Sequence, residues 1–208
     1  SYGFVYGFHK AKGHTQYPSA DSFARMLIDL NKCVAPKLYV MDGIVAMEGN
    51  GPGSGDPVPM NVLLMSTDPV ALDSVFSRLV YLKPEMVPTN YHGEKMGLGT
   101  WKEEEITLLT PDGEISMAEA VKKYGNPAFN VDRTEVRKNI WTRIFQKKPY
   151  IEADKCVRCG ICVQSCPVPG KAVDFRKGKG KPPVYDYRKC IRCFCCQEMC
   201  PKKAIKVK

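Results

Sequence analysis

The sequence predicts two domains of different class, an α/β domain over residues 1–131 and a small α+β domain over 149–208, joined by a linker helix at 132–148. Three observations predict this division. In the first part, apolar runs of strand length alternate with amphipathic helical stretches, the pattern of a partial, mixed or parallel sheet with flanking helices. Nine of the ten cysteines fall between Cys156 and Cys200. The charge divides at the same place: Pro149 to Lys208 holds 14 lysines and arginines against 5 acids, while the rest of the chain balances 17 of each, so the formal +9 sits entirely on the smaller domain.

Taken in order, residues 1–18 mix aromatics and glycines with Lys10, Lys12, His14 and Tyr17, and are expected to form a strand end running into a loop. A helix follows, capped by Ser19 or Asp21 and ended by Pro36, with Phe23, Met26, Leu27, Leu30, Cys33 and Val34 on one face. Cys33 lies in that stripe and is expected to be a buried packing residue. Lys37 to Met41 reads as a buried strand that delivers Asp42-Gly43 at its carboxyl end.

Met47 to Pro57 then carries Gly49, Gly51, Gly53 and Gly55 at alternate positions, a loop in which backbone amides can approach an anion closely. It matches neither phosphate fingerprint, having no G-x-G-x-x-G register and no Gly-Lys-Ser/Thr. Met60 to Met65 is the next strand. Asp68 followed by Pro69 opens a helix with Val70, Ala71, Val75, Leu79 and Leu82 on its apolar face. Beyond it the spacing predicts loop and short helix over 84–99, a strand over 103–109, a turn at Pro111-Asp112-Gly113, and a helix from Ser116 to Tyr124 stopped by Gly125. The Asp132-x-x-Glu135 capping pattern opens the linker helix.

The smaller domain is dominated by its cysteines. Cys156, Cys159, Cys162 and Cys166 precede Pro167, and Cys190, Cys193, Cys196 and Cys200 precede Pro201, so both runs read C-x2-C-x2-C-x3-C-P. This is the bacterial ferredoxin spacing for two 4Fe-4S clusters, in which three thiolates wrap one cubane and the fourth reaches the other. The spacing predicts Cys156, Cys159, Cys162 and Cys200 on cluster 1, and Cys190, Cys193, Cys196 and Cys166 on cluster 2. Cys195, beside Cys196, is left as a neighbouring thiol that ligates neither. A structural zinc site would use two well-separated C-x2-C pairs, and nothing marks a disulfide-rich secreted scaffold. Short strands are expected at 172–175, 184–187 and 204–207, with a basic turn from Arg176 to Pro183.

Thiolates committed to oxygen-sensitive clusters imply a reducing compartment, the cytoplasm of an anaerobic or low-oxygen metabolism. No run approaches the length of a membrane span, and Ser1-Tyr2-Gly3 does not open a signal peptide. If each oxidised cluster with its thiolates carries about −2, the smaller domain stays near +5, a surface suited to an acidic redox partner protein. No helix-turn-helix or aromatic RNA-binding signature accompanies the charge, which argues against a nucleic-acid partner.

The stretches Asp42-Gly43-Ile44-Val45-Ala46-Met47-Glu48-Gly49-Asn50-Gly51-Pro52 and Ser66-Thr67-Asp68-Pro69-Val70-Ala71-Leu72-Asp73, with Lys12-Gly13-His14, resemble the DUF 362 family of iron-sulfur center proteins. The resemblance implies an α/β domain joined to a ferredoxin module. It further implies an additional N-terminal α/β portion, supplied either by a longer form of the chain or by a separate one.

Two functions follow as expectations. In the first, the clusters relay single electrons to or from a site on the α/β domain, making the protein a candidate oxidoreductase component. Lys12, His14, Asp42 and Glu48 would be its reactive groups, and Asn50, Gly51, Gly53 and Gly55 would bind an anion or further ligand, which His14, Asp42, Glu48 and Asp56 could help hold as metal donors. In the second, the chain is a non-enzymatic ferredoxin-like adaptor whose α/β domain binds a partner protein or an anionic ligand.

Overall fold

The computed structural model describes residues 2–5, 9–17, 19–50, 54–131 and 148–207. The chain divides into two compact units, and the division is not contiguous: residues 1–4, 19–49 and 56–135 form one, while 5–18, 50–55 and 136–208 form the other. The linker helix expected over 132–148 lies outside the described residues apart from Lys148.

In the first unit, α2 (Ala20–Val34) opens on a reciprocal capping box in which Ser22 N donates to Ser19 Oγ at 3.1 Å and Ser19 N donates to Ser22 Oγ at 3.2 Å. Asp21, the other expected cap, instead faces the buried His92 ring at 3.4 Å. The buried face of α2 is Ala24, Ile28 and Asn31, rotated from the predicted stripe. Cys33 is therefore exposed, which corrects the expectation that it is packed inside.

The sheet differs most from expectation. Strands β1 (Tyr39–Asn50) and β2 (Ser54–Ser66) are each twice as long as predicted and pair with each other in a two-stranded sheet. Only three residues separate them, a connection that permits antiparallel pairing and forbids a parallel crossover. The supposed glycine loop is thus mostly strand, with Met47 to Asn50 in β1 and Ser54 to Pro57 in β2. Lys37 to Met41 is not a buried strand either, since Leu38 and Val40 are both 57% exposed.

Along β1 the in-out alternation changes phase at Ile44-Val45, both exposed, as a bulge would produce. On β2 it is regular from Val58 onward: Met60 and Val62 face inward while Leu63 and Met65 face out. Gly43 is needed at the sheet's covered side, because a Cβ there would sit 2.8 Å from Val62 Cγ2 and 3.5 Å from the Phe76 ring.

Helix α3 (Pro69–Leu79) covers that side. Its Leu79 is buried with Met60, Val62, Val80 and Phe129, and its Phe76 meets Phe129 edge to face. Asp68 caps it by accepting from Val70 N at 2.8 Å and Ala71 N at 3.0 Å, and its other oxygen accepts from Thr100 N at 2.8 Å. Pro88–Lys95 forms α4, packed on α2 and α3 where Gly93 leaves room for Val70. A 3-10 turn at Glu103–Glu105 replaces the first half of the strand expected over 103–109, leaving β3 (Leu108–Thr110), which pairs antiparallel with β4 (Gly113–Ile115) across the predicted turn. Helix α5 (Met117–Tyr124) has the expected bounds, with Ser116 and Glu119 forming a second capping box.

The second unit holds α1 (His9–Gln16), where strand and loop were expected, and the cysteine-rich region. That region contains β5 (Pro149–Ile151), α6 (Ile161–Gln164), β6 (Val173–Asp174), β7 (Val184–Tyr185), α7 (Cys195–Glu198) and β8 (Ile205–Val207). β5 pairs antiparallel with β8, and β6 with β7. Overall the chain is mixed α/β, built from helices and small two-stranded sheets.

Candidate iron-sulfur site

Two loops carry the cysteines, and their backbones repeat each other. Arg158 and Arg192 both stand at φ 57°, and Gly160 (81°) and Phe194 (56°) both take the left-handed conformation just before α6 and α7. Left-handed residues reverse the chain tightly and let three sulfurs spaced by two residues turn toward one point. Only the glycine takes that conformation without the steric cost of a side chain.

The loops leave two recesses. One, of about 370 Å³, is lined by Cys156, Cys159, Cys162 and Cys200; the other, of about 310 Å³, by Cys166, Cys190, Cys193 and Cys196. Each therefore draws three sulfurs from one run and one from the other. The fourth cysteine of each run also receives a backbone hydrogen bond, from Ala172 N to Cys166 Sγ and from Ala204 N to Cys200 Sγ, both at 3.3 Å. Amide donors at sulfur favour its anionic form, which is the form that binds iron.

These sulfur atoms stand where thiolate ligands would be. As thiols, two of the most buried are pushed toward the protonated state: burial, then neighbouring Cys156 and Cys159, raises Cys162 to about 11, and burial raises Cys196 to about 12. Cys193 moves the other way, to about 7, because the Cys195 thiol hydrogen-bonds to it. A cationic cluster core reverses the penalty on such crowded, buried sulfurs, and loading it would release protons.

No three Cys, His, Asp or Glu side chains among the described residues are gathered closely enough to hold a single metal ion. A tetrahedral zinc would bring its sulfurs to within about 3.8 Å of one another. A cubane spreads them over separate iron corners, and the sulfur-lined recesses fit that arrangement. All ten cysteines are unpaired thiols, and Cys162, Cys166 and Cys196 form the core of this region with Ala172, Val173 and Ile205.

The candidates outside the cysteines are divided between the two units. Asp42 and Glu48 belong to the first unit, Lys12 and His14 to the second. Asp42 Oδ1 accepts from Ile44 N at 3.1 Å, a local tie, and Glu48 Oε2 accepts from Asn130 N at 2.8 Å, a tie to backbone 82 residues away. Two recesses on the first unit, of about 1280 and 730 Å³, are bordered by neither acid. His14 is half-buried near the end of α1, its pKa lowered by burial against the opposing pull of Glu198. Gly55 lies in β2. Gly51, Gly53 and the side chains of Lys12 and Asn50 lie outside the described residues.

Two repeated cysteine loops around sulfur-lined recesses suit an iron-sulfur domain, and residues 148–201 match the 4Fe-4S dicluster domain. Residues 1–78 match the domain of unknown function DUF362, so the chain carries a DUF362 segment on one side and a 4Fe-4S cluster-binding domain on the other. A thylakoid-associated protein of Synechocystis sp. is 41% identical over 98 residues, which are 47% of this chain and 30% of that protein. The match thus spans less than a third of the relative's length. No solved structure matches. Among the described residues no helix is long and apolar enough to cross a membrane.

Proposed function

We propose that this protein carries electrons through two 4Fe-4S clusters, one held by Cys156, Cys159, Cys162 and Cys200 and the other by Cys190, Cys193, Cys196 and Cys166. The observation that carries this reading is the sorting of eight cysteines into two recesses, each with three sulfurs from one run and one from the other. When bound, such clusters exchange single electrons. The chain's own contribution is to exclude water with Val173 and Ile205, to aim Ala172 N–H and Ala204 N–H at sulfur, and to bring Cys162 and Cys196 into one packed core between the two centres.

The exposed lysines of the basic turn, Lys177, Lys179 and Lys181, support an acidic redox partner that docks with little desolvation cost. A reducing, low-oxygen setting such as the cytoplasm suits the free thiols. For the first unit the adaptor reading is favoured over a reactive site, because Asp42 and Glu48 are spent on backbone ties while Val40, Ile44, Leu63 and Met65 present an exposed apolar side of a two-stranded sheet. A sheet of two strands is marginal alone. We infer that a further α/β segment, on a longer form of the chain or a separate one, covers it.

Anaerobic purification followed by iron and sulfide analysis tests the central claim. About eight irons and eight sulfides per chain are expected. Cys200→Ser should cost the same half of the iron as Cys156→Ser, and Cys166→Ser the same half as Cys190→Ser. A colourless, iron-poor oxygen-free preparation, or Cys200→Ser acting together with Cys190→Ser, overturns the assignment.

A further inference from the structure

The two halves of the cysteine region superimpose in sequence at a spacing of 34 residues, taking Cys156 to Cys190 and Cys166 to Cys200. The same spacing takes Ile151 to Tyr185 and Ile161 to Cys195. The strand registers support the first of these equivalences. Ile151 pairs with Ile205 in one ladder, Tyr185 pairs with Val173 in the other, and each of the four sits beside its own sulfur-lined recess or in the core between them.

At these equivalent positions the chemistry differs. Tyr185 places its hydroxyl 3.1 Å from Cys196 Sγ. A cluster-bound cysteine has no proton to give, so the phenol must be the donor. Ile151 has nothing to donate. Cys195 lies buried where the other half has Ile161, with its sulfur 3.8 Å from Cys193 O. The backbone amide donors, by contrast, are matched at 3.3 Å on both sides.

We propose that Tyr185 sets the reduction potential of the second centre alone and so makes the two centres unequal. This rests on the two-cluster reading above. A hydrogen bond to a ligating sulfur stabilises the more negative, reduced state more than the oxidised one, and therefore raises the potential. Solvent acts on the other side, since Cys159 is exposed and Cys193 is not. The claim accordingly concerns the shift that one hydroxyl produces in one centre, whatever the final gap.

Tyr185→Phe removes the hydroxyl and keeps a ring to stack on Tyr187, whose centroid lies 5.6 Å away. In an anaerobic redox titration of the holoprotein followed by electron paramagnetic resonance, the step absent from Cys190→Ser identifies the second centre. In Tyr185→Phe that step should become about tenfold harder, a fall of about 59 mV for one electron, with the other step unmoved. Ile151→Tyr should raise the first centre's step instead. The proposal is overturned if both steps move together, if neither moves at full iron content, or if Tyr185→Phe loses half its iron, which would make Tyr185 a structural prop. A wild-type protein that shows only one centre defeats the two-cluster reading itself and is distinguishable by its iron count.

Discussion

The two units are stabilised in opposite ways. The first has an ordinary core, in which Leu79, Val80, Met60 and Val62 are buried between a sheet and a helix that is capped at its start by Asp68. The second has helices of one turn and strands of two or three residues in its cysteine region, and half of its buried core cluster is cysteine. Elements that short do not persist unless something else ties them. The first unit is thus a fold that positions side chains, whereas the second is a fold that the bound group would complete.

The largest expected effect follows from this. Stripping iron anaerobically from the full chain should abolish protection of the 150–207 amides from hydrogen exchange while leaving those of α3 protected. Equal loss in both units would erase the contrast. Next in size, Leu79→Ala, at a site 1% exposed, should cost the first unit about 3 kcal/mol in denaturant melts and leave iron content unchanged. Asp68→Ala should cost about 2 kcal/mol, because three backbone N–H groups lose one carboxylate, and Asp68→Asn should recover part of it.

Leu63→Lys should change the stability of the 208-residue chain by less than about 0.5 kcal/mol, since the side chain is 57% exposed. A cost above about 2 kcal/mol would mean that this side of the sheet is already packed. The smallest effect is one of pH. Ser116 Oγ and N–H hold the Glu119 carboxyl below its usual range, so its contribution is present above the unfolded value of about 4.3 and is lost as pH falls through the lower folded value. Glu119→Gln should flatten that acid-side loss in melting temperature without moving the neutral-pH iron content.

How much of this was legible in the sequence depended on how local the cause was. Asp68-Pro69, the helix start at Ser116 and the stop at Gly125 are each written within a few residues, and each stands where the spacing put it. The cysteine pattern is equally local, and its repeat gave the two-loop arrangement. The sheet was not legible, because strand length and pairing depend on tertiary context. The Gly49 to Gly55 alternation looked like a loop, yet much of it continues two paired strands. Cys33 was misplaced because a helical stripe read from apolar residues can rotate by one position when Asn31, a polar residue, takes a buried place. Tyr185 was hidden for another reason: its hydroxyl matters only through contact with Cys196, eleven residues away.

The crossed placement of Cys166 and Cys200 has a consequence for how this molecule would fail. With each recess borrowing a sulfur from the opposite loop, an oxidant that attacks one site also frees the thiol that anchors the neighbouring run. Loss of one site should then loosen the other without emptying it, so that in air the second half of the iron leaves faster than the first, through half-loaded molecules that oxygen-free handling preserves.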